Sequence, residues 1–292
     1  TNLQSYVVNS TNTSPVTASF DILAYATNNT QVRFLASGNN AVAGMYIDDI
    51  NISYQPTCET EPVVEAAWYF DEFNWNATSD EVLDSSGNDY HGVASKAMSN
   101  SSDGVVCSAV DLREDSDTDY ISLDGSALDG LDNFSVSVWG KLDSTRSGAQ
   151  TIFSAASSSH TNGVLMFFSN TSTLRFYFRN TIVATYTLPP INDDLWHHYV
   201  WTRNEGSHCL FMDGVSQGCQ TGTYTDDISV SSNGLIIGQE QDAVGGNFDD
   251  DQDWEGLVDE PMIFSGELSD ASVASIYSNQ LAETIWDGSE RI

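Results

Sequence analysis

Short stretches in which apolar and polar residues alternate, each ended by turn-forming residues, run through most of this chain. In Phe134–Leu142 the apolar side chains stand at even positions, and serine, tryptophan and lysine stand at odd positions. Leu174–Phe178 shows the same period of two, whereas Trp196–Arg203 has bulky residues on both parities. A period of two is that of a strand with one buried face, and bulk on both parities indicates a strand covered on both sides. The pattern predicts an all-β, antiparallel β-sandwich.

The charge of the chain is strongly acidic, with 42 Asp and Glu against 9 Lys and Arg and a net charge of -33. Such a surface lacks the cations that nucleic-acid phosphates and anionic lipids require, so both classes of partner are excluded. It fits divalent cations, high-salt surroundings or simple solubility. No apolar run approaches the roughly eighteen residues of a membrane span, so we expect no membrane insertion.

The 292 residues leave room for more than one domain. We expect residues 1–55 to be the C-terminal part of a β-sandwich, followed by a linker at 56–62. A larger sandwich at 63–281 and a C-terminal extension at 282–292 complete the chain. The run Gly44–Ser53 resembles the closing strand of jelly-roll carbohydrate-binding modules. Because Thr1 is not an initiator methionine, we expect a processed chain or a piece of a longer protein.

The four cysteines, Cys58, Cys107, Cys209 and Cys219, allow three disulfide pairings. We favour Cys58–Cys107 with Cys209–Cys219, which places the protein in an oxidising, extracellular or cell-surface compartment.

The segment between Cys209 and Cys219 predicts a hairpin built on Asp213-Gly214. A two-residue turn there sets Cys209 opposite Gly218, so a Cys209–Cys219 bridge needs a bulge, for which Gly218 is the natural place.

One short helix is predicted at Asp270–Tyr277. Ser269 can serve as its N-cap, and Leu268 with Val273 stands at the spacing of a hydrophobic staple.

The stretch Asp84–Gly92, Asp-Ser-Ser-Gly-Asn-Asp-Tyr-His-Gly, concentrates turn-forming and oxygen-bearing residues. It has two readings, a tight surface turn or part of a site for a hard cation such as calcium.

The order of motifs along the second domain is more specific than any one of them. The chain resembles a laminin-G-like (pentraxin-like) jelly roll of the concanavalin A-like lectin/glucanase superfamily, as found in bacterial surface and pilus-associated proteins. The resemblance implies two curved antiparallel sheets, adjacent first and last strands, and often a calcium ion at the rim or convex face. The motifs that carry it are Trp68–Glu72, Asp84–Asn88, Ala109–Leu112, Tyr120–Leu123, Phe134–Trp139, Leu195–His198, Leu235–Gly238 and Glu255–Phe264.

On these positions the resemblance implies a calcium group from the first strand, the acidic turn and the last strand. Its members are Asp71, Glu72, Asp84, Asn88, Asp259 and Glu260.

The acidic run at 248–255 has two readings, a solvated loop or a second calcium site. Pentraxins place ligand-bridging calcium on such loops, so a calcium-dependent ligand would sit here by analogy. The candidate ligands are Glu240, Asp242, Asp249, Asp251 and Asp253.

Three tryptophans are candidates for stacking on a sugar, Trp75, Trp139 and Trp254, with burial beneath a loop as the alternative for Trp139. A catalytic role is not expected. The Glu-x-Asp-x-x-Glu run of related glucanases and a Gly-x-Ser-x-Gly motif are both missing from the sequence, and His197 and His198 fit structural roles.

The sequence therefore predicts a non-enzymatic, extracellular, calcium-stabilised recognition or adhesion module of a larger surface protein, with glycans or a cell-surface molecule as partner. The alternatives are a structural spacer or filament subunit that assembles through neighbouring domains, and a lectin domain attached to a glycoside-active enzyme.

Overall fold

The computed structural model describes residues 62–72, 74–113, 119–225, 227–249 and 251–291, except the side chain of residue 99. The predicted domain at 1–55, nearly all of the predicted linker, and Cys58 lie outside the described residues.

Short strands and one helix make up the described chain. Its elements are β1 (Val63–Ala67), β2 (Asn74–Asn76), β3 (Val93–Ala94), β4 (Ala97–Ser101), β5 (Ala109–Asp111), β6 (Ile121–Leu123), β7 (Phe134–Leu142), β8 (Gln150–Ser157), β9 (His160–Asn170), β10 (Thr173–Phe178), β11 (Thr181–Thr187), β12 (His197–Asn204), β13 (Ser207–Met212), β14 (Val215–Thr221), β15 (Leu235–Ile237), β16 (Gly256–Ser265) and α1 (Asp270–Leu281).

The strands form two antiparallel sheets. A nine-stranded sheet has the order β14-β13-β12-β7-β16-β5-β4-β2, with β1 also paired to β16. A seven-stranded sheet has the order β11-β10-β9-β8-β15-β6-β3. The all-β sandwich is confirmed, and so is the expected pairing of the first strand of this domain with its last.

The main core lies between the two sheets and is rich in aromatic residues. Phe176 stacks on Trp201 at 4.3 Å between ring centroids, and Phe168 meets Tyr199 edge-on at 5.3 Å. Such pairs add about 0.5–1.5 kcal/mol each beyond the burial of their area. Strand β12 is buried on both faces, as its sequence predicts, because Val200 packs into a second cluster on the outer side of the nine-stranded sheet.

Helix α1 covers the outer side of the nine-stranded sheet. Ser269 caps it by accepting a hydrogen bond from the Ser272 amide at 3.1 Å. The predicted start is confirmed, and the helix continues past Tyr277 to Leu281. Its residues Val273 and Ile276 complete the second apolar cluster. Neither α1 nor any other helix in the described part of the chain has the length and hydropathy that a membrane span requires.

The hairpin of β13 and β14 forms as predicted. Met212 pairs with Val215 across a turn in which Asp213 and Gly214 have φ of 53° and 74°. The register then shifts, so that Cys209 lies opposite Cys219 and the two form a disulfide. Gly218 has φ of 94°, the left-handed conformation that the predicted bulge requires of it.

The outermost strands of the two sheets are joined by one side chain. Gln220 on β14 accepts a hydrogen bond from the Thr185 amide of β11 at 3.1 Å. Its amide nitrogen donates in return to the Thr185 carbonyl at 2.6 Å.

The segment after α1 returns to the last strand through Arg291. The guanidinium pairs with Asp71 and with Glu260, which is completely buried where β16 bulges before Met262. The other Glu260 oxygen accepts from the Gln280 amide of α1 at 3.0 Å. Burial raises the pKa of Glu260, and Arg291 opposes that rise.

We expect Arg291→Ala to lower the free energy of unfolding by about 3 kcal/mol at pH 8, because it leaves the buried Glu260 carboxylate uncompensated. A carboxyl group whose pKa is raised on folding destabilises the folded protein at pH values above the folded-state pKa. At pH values below its unfolded-state pKa it has no effect on stability. The loss should therefore be smaller at pH 5. Urea unfolding followed by tryptophan fluorescence measures both values.

Arg113→Ala is the matched control, because Arg113 is a half-exposed arginine that pairs only with Asp111 among the described residues. It should change stability by less than about 1 kcal/mol. An equal loss for Arg291→Ala at both pH values would contradict the assignment.

We expect reduction of the Cys209–Cys219 bridge to lower stability by about 3 kcal/mol, the entropy of closing a loop of this size. Cys107 supplies the comparison, because its thiol is exposed and forms no disulfide within the described residues; its predicted partner Cys58 lies outside them. Melting curves with and without dithiothreitol should differ for the native chain and Cys107→Ser, but not for Cys219→Ser. A reductant effect that survives in Cys219→Ser would place the stabilising bridge elsewhere.

Candidate functional site

The chain after β15 folds back over the outer side of the seven-stranded sheet and is fixed there by hydrogen bonds. The Ser154 hydroxyl donates to the Gln239 carbonyl at 2.6 Å. The Gln241 amide donates to the Ser154 hydroxyl at 2.9 Å and to the Gly234 carbonyl at 3.0 Å. The Gly245 amide closes the loop by donating to the Gln241 side chain at 2.8 Å. Glu240 lies between these two anchored glutamines.

Glu240 is a buried carboxylate, 4% exposed, in an acidic environment. Its pKa is raised to about 7, chiefly by burial and also by the charges of Asp242 and Asp249. A hydrogen bond from the Asn162 side chain lowers the pKa in part. The Asn162 Oδ1 atom is itself buried without a hydrogen-bond partner. A carboxylate held among like charges, beside an unsatisfied amide oxygen, is the donor set that a hard cation prefers.

The side chains of Asn162, Asp242 and Asp249 lie around Glu240 but do not converge on one position. Within the ranges described above, no three His, Cys, Asp or Glu side chains stand in an arrangement that could hold a metal ion. Asp242 and Asp249 are exposed and lie on loops, so a cation would have to draw them in.

Asp253 and Asp251, the other predicted members of this group, have different surroundings. Asp253 is buried and pairs with Arg146 at 3.3 Å. The same arginine pairs with Glu255 at 2.6 Å, so Arg146 is a counter-charge shared by the two carboxylates. Asp251 lies exposed in the loop.

The acidic turn at 84–92 is held by hydrogen bonds. One Asp84 carboxylate oxygen accepts from the amides of Ala67 at 3.0 Å and Ser86 at 2.9 Å. The other accepts from the Ser86 hydroxyl at 2.7 Å and the Tyr90 amide at 3.1 Å. Asn88 donates its side-chain amide to the Glu65 carbonyl at 2.9 Å. Both residues therefore fasten the turn to β1.

The remaining members of the first predicted calcium group also have protein partners. Asp71 and Glu260 share Arg291, and Asp259 accepts from the amides of Val105 at 2.8 Å and Val106 at 3.2 Å. Glu72 accepts from the Leu83 amide at 2.9 Å, and its second oxygen is buried without a partner. The acidic members of this group do not stand in a three-residue arrangement that could hold a metal ion. Arg291, which no local sequence pattern singles out, supplies a positive charge to two members of this group.

The three tryptophans predicted to stack on sugars are each only 1% exposed, so that prediction is wrong. Trp139 does face outward from the sheet, but α1 covers it. It stacks on His198 at 4.8 Å and on Tyr277 at 5.4 Å, and its indole donates to Gln280 at 2.7 Å. Trp75 packs edge-on against Phe70 at 5.9 Å, and Trp254 packs in the main core.

His198 fits the structural role expected from the sequence. Its ring is fully buried, contacts the Ser137 hydroxyl at 2.8 Å, and has a pKa lowered by burial to about 3. It is therefore neutral at physiological pH. His197 pairs with Asp213 at 2.9 Å at the base of the hairpin turn.

A half-buried aromatic pair that the sequence reading did not select lies on the outer side of the seven-stranded sheet. Phe167 and Tyr177 meet edge-to-face at 6.0 Å, beside Ile182, which is 45% exposed. Phe167 pairs with Arg175, and Tyr177 pairs with Leu165. We call Leu165, Phe167, Arg175, Tyr177 and Ile182 the outer-face patch.

The outer-face patch adjoins the Glu240 loop. Ser154, which anchors that loop, pairs with Leu165 on the next strand, and Leu165 pairs with Tyr177 on the strand beyond. Neighbouring strands lie about 4.8 Å apart, so Tyr177 is about 10 Å across the sheet from the loop's anchor. Two surface depressions, of about 550 Å³ near Arg179 and about 470 Å³ near Cys107, include no residue of the loop or the patch.

Comparison with known proteins agrees with this architecture. A laminin-G family model of the concanavalin A-like lectin/glucanases superfamily matches residues 115–274. Serum amyloid P-component of Rattus norvegicus is 27% identical over 165 residues, which are 56% of this chain and 70% of that protein. The sushi, von Willebrand factor type A, EGF and pentraxin domain-containing protein 1 of the same species is 29% identical over 93 residues.

That second match covers 31% of this chain and only 3% of the relative, so the chain corresponds to a small part of it. Domain 4 of AbnA, a GH43 extracellular arabinanase from Geobacillus stearothermophilus, was solved in complex with arabinotriose and has a similar fold. The TM-score is 0.50 at 20% identity, and the match covers 73% of this chain and 98% of that domain.

The family match extends over more than half of the chain, and the described strands form the expected two-sheet sandwich. The chain therefore belongs to the concanavalin A-like lectin/glucanase superfamily, as a laminin-G-type, pentraxin-like member.

Proposed function

We propose that residues 62–291 form a non-enzymatic recognition module of a larger extracellular or cell-surface protein. Its ligand would be a carbohydrate, bound with calcium at the Glu240 loop and packed against the outer-face patch. The observation that carries the proposal is the buried Glu240 carboxylate, surrounded by Asp242 and Asp249 and next to an amide oxygen of Asn162 that lacks a partner.

Each of these four residues has a distinct part in the proposed site. Asn162 and Glu240 are anchored, one on β9 and the other between two hydrogen-bonded glutamines, so they define the position. Asp242 and Asp249 are exposed and supply the further oxygens that a calcium shell of about six to eight ligands needs. Calcium would neutralise these carboxylates and leave coordination positions for hydroxyl oxygens of a ligand.

The outer-face patch supplies the apolar contact that such a ligand needs. Tyr177 and Phe167 present aromatic surface beside the loop, and a tyrosine offers both a ring for packing and a hydroxyl for hydrogen bonding. The AbnA domain shows that this fold can carry an oligosaccharide in a related protein. The Cys209–Cys219 bridge supports an extracellular setting, because disulfides persist in oxidising compartments.

A structural spacer is the second candidate. The Arg291 pairs, the disulfide and the Gln220 bridge all stiffen the domain without involving the Glu240 loop. A third arrangement, a lectin domain attached to a glycoside-active enzyme, corresponds to the setting of the AbnA domain.

We expect calcium to raise the melting temperature of the full chain, and chelation to reverse the rise. A ligand at a hundred times its dissociation constant adds about 2.7 kcal/mol of stability. Glu240→Gln should remove this response. In the absence of calcium the variant should be at least as stable as the native chain, because burial disfavours the charged carboxylate it replaces.

Asp251→Asn is the matched control, since it removes one charge from the same acidic run at an exposed position. It should keep most of the calcium response. If neither calcium nor chelator changes the melting temperature of the native chain, calcium is removed from the proposal.

A glycan array separates the recognition module from the spacer. We expect calcium-dependent binding that is lost on chelation and on Tyr177→Ala, because the ring supplies the apolar contact. Ile182→Ala, an exposed position on the neighbouring strand, should weaken binding less. If no glycan binds although calcium does, the spacer becomes the better account.

A further inference from the structure

Arg175 stands out from the other cations of the described chain. The chain has 9 basic against 42 acidic residues, so a cation normally finds a carboxylate. Six of the described Lys and Arg residues have one within 4.0 Å: Lys96, Arg113, Lys141, Arg146, Arg203 and Arg291. Arg179 donates to the Asp227 carbonyl at 2.6 Å. The Arg175 guanidinium makes no hydrogen bond or ion pair with another described residue.

The position of Arg175 is set by the register of the seven-stranded sheet. On β10 the residues alternate between half-buried and buried, so Arg175 and Tyr177 share the face that points away from the core. Arg175 lies directly opposite Phe167 on β9 and opposite Thr185 on β11. Directly opposite residues have Cβ atoms about 4.5–5.5 Å apart, so the guanidinium belongs to the outer-face patch.

An arginine that lies among aromatic side chains and has unused N–H donors is suited to binding an anion. The guanidinium is planar and matches a carboxylate, sulfate or phosphate with two parallel hydrogen bonds. The rest of the chain carries a large excess of negative charge, which would repel such a ligand from most of the surface. Within the outer-face patch and the Glu240 loop, the positive charges available to such a ligand are therefore Arg175 and the cation proposed at the loop.

The spacing of the two positions limits the size of the ligand. Phe167, opposite Arg175, is five residues along β9 from Asn162. At a rise of about 3.3 Å per residue the separation is about 17 Å. A ligand that reaches both must be longer than a single sugar.

We propose that this site takes an acidic oligosaccharide, with its hydroxyl oxygens at the Glu240 loop and a carboxylate or sulfate group on Arg175. The inference rests on the proposed function and adds the chemical class of the ligand. Arg175 is the residue that selects acidic over neutral saccharides, and Phe167 and Tyr177 contact the sugar rings between the two ends.

The test uses the full chain in calcium and three probes. Tetragalacturonate carries carboxylate groups alone, and a heparin tetrasaccharide carries sulfate and carboxylate groups. Fully methyl-esterified tetragalacturonate is the neutral counterpart of tetragalacturonate. Titration calorimetry measures each affinity for the native chain, Arg175→Gln, Arg175→Lys and the control Arg113→Gln. Tryptophan fluorescence and the calcium-induced shift in melting temperature report whether each variant is folded and binds calcium.

We expect the native chain to bind at least one acidic probe more tightly than the neutral ester. Arg175→Gln should lower the affinity for the acidic probe by about tenfold or more, because a charge-assisted pair is lost. Its affinity for the neutral ester should be unchanged. Arg175→Lys should recover part of the affinity, and Arg113→Gln should behave as the native chain. The acidic probe that binds identifies the anionic group.

Equal binding of acidic and neutral probes, or an unchanged affinity in Arg175→Gln, would overturn the inference and leave the proposed carbohydrate function in place. Calcium binding without affinity for any of the three probes would overturn the inference and remove the carbohydrate from the proposed function. Failure of both the calcium response and saccharide binding would remove the two proposals together.

Discussion

The burial of two acidic residues in the middle of β16 is the constraint around which the domain is arranged. Asp259 and Glu260 are completely buried in a strand that pairs with β7, β5 and β1. An ionised carboxylate in such a place is tolerable only with hydrogen bonds and a counter-charge. Backbone amides before β5 serve Asp259, while Gln280 of α1 and Arg291 serve Glu260. Three separate segments are thereby fixed to one strand.

The acidic groups around Glu260 and around Glu240 are built from the same residue types but differ in how their charge is balanced. Around Glu260 the protein provides an arginine of its own as the counter-charge. Around Glu240 the nearest charges are acidic and the neighbouring amide oxygen of Asn162 lacks a partner. Acidity in a sequence therefore does not distinguish a structural ion pair from a candidate cation site. The distinction depends on whether a basic residue arrives from elsewhere in the chain.

Local patterns were sufficient for much of the fold. Alternation predicted the strands, the turn at Asp213-Gly214 with Gly218 predicted the disulfide register, and Ser269 predicted the start of α1. These features depend on residues close together in sequence, where spacing alone determines geometry.

Contacts between segments that are distant in sequence were not predicted. Arg291 meets Asp71 across 220 positions, and no local pattern signals that approach. Trp139 was correctly placed on the outward face, but the sequence did not show that α1 would cover it. The outward positions of Arg175 and Tyr177 were visible in the alternation of β10. That alternation does not show that the Glu240 loop lies beside them, because the loop is distant in sequence.

Gln220 has a consequence for how copies of this domain meet. An outermost strand normally offers unpaired peptide groups, on which a strand from another molecule can add. At Thr185 both groups are already taken, because the Gln220 side-chain amide imitates the peptide unit of an incoming strand. The Gln220 side chain thus removes Thr185 as a position at which another strand could add to this edge. Covering edge groups in this way lowers the tendency of two copies to pair edge to edge, without placing a charge at the edge.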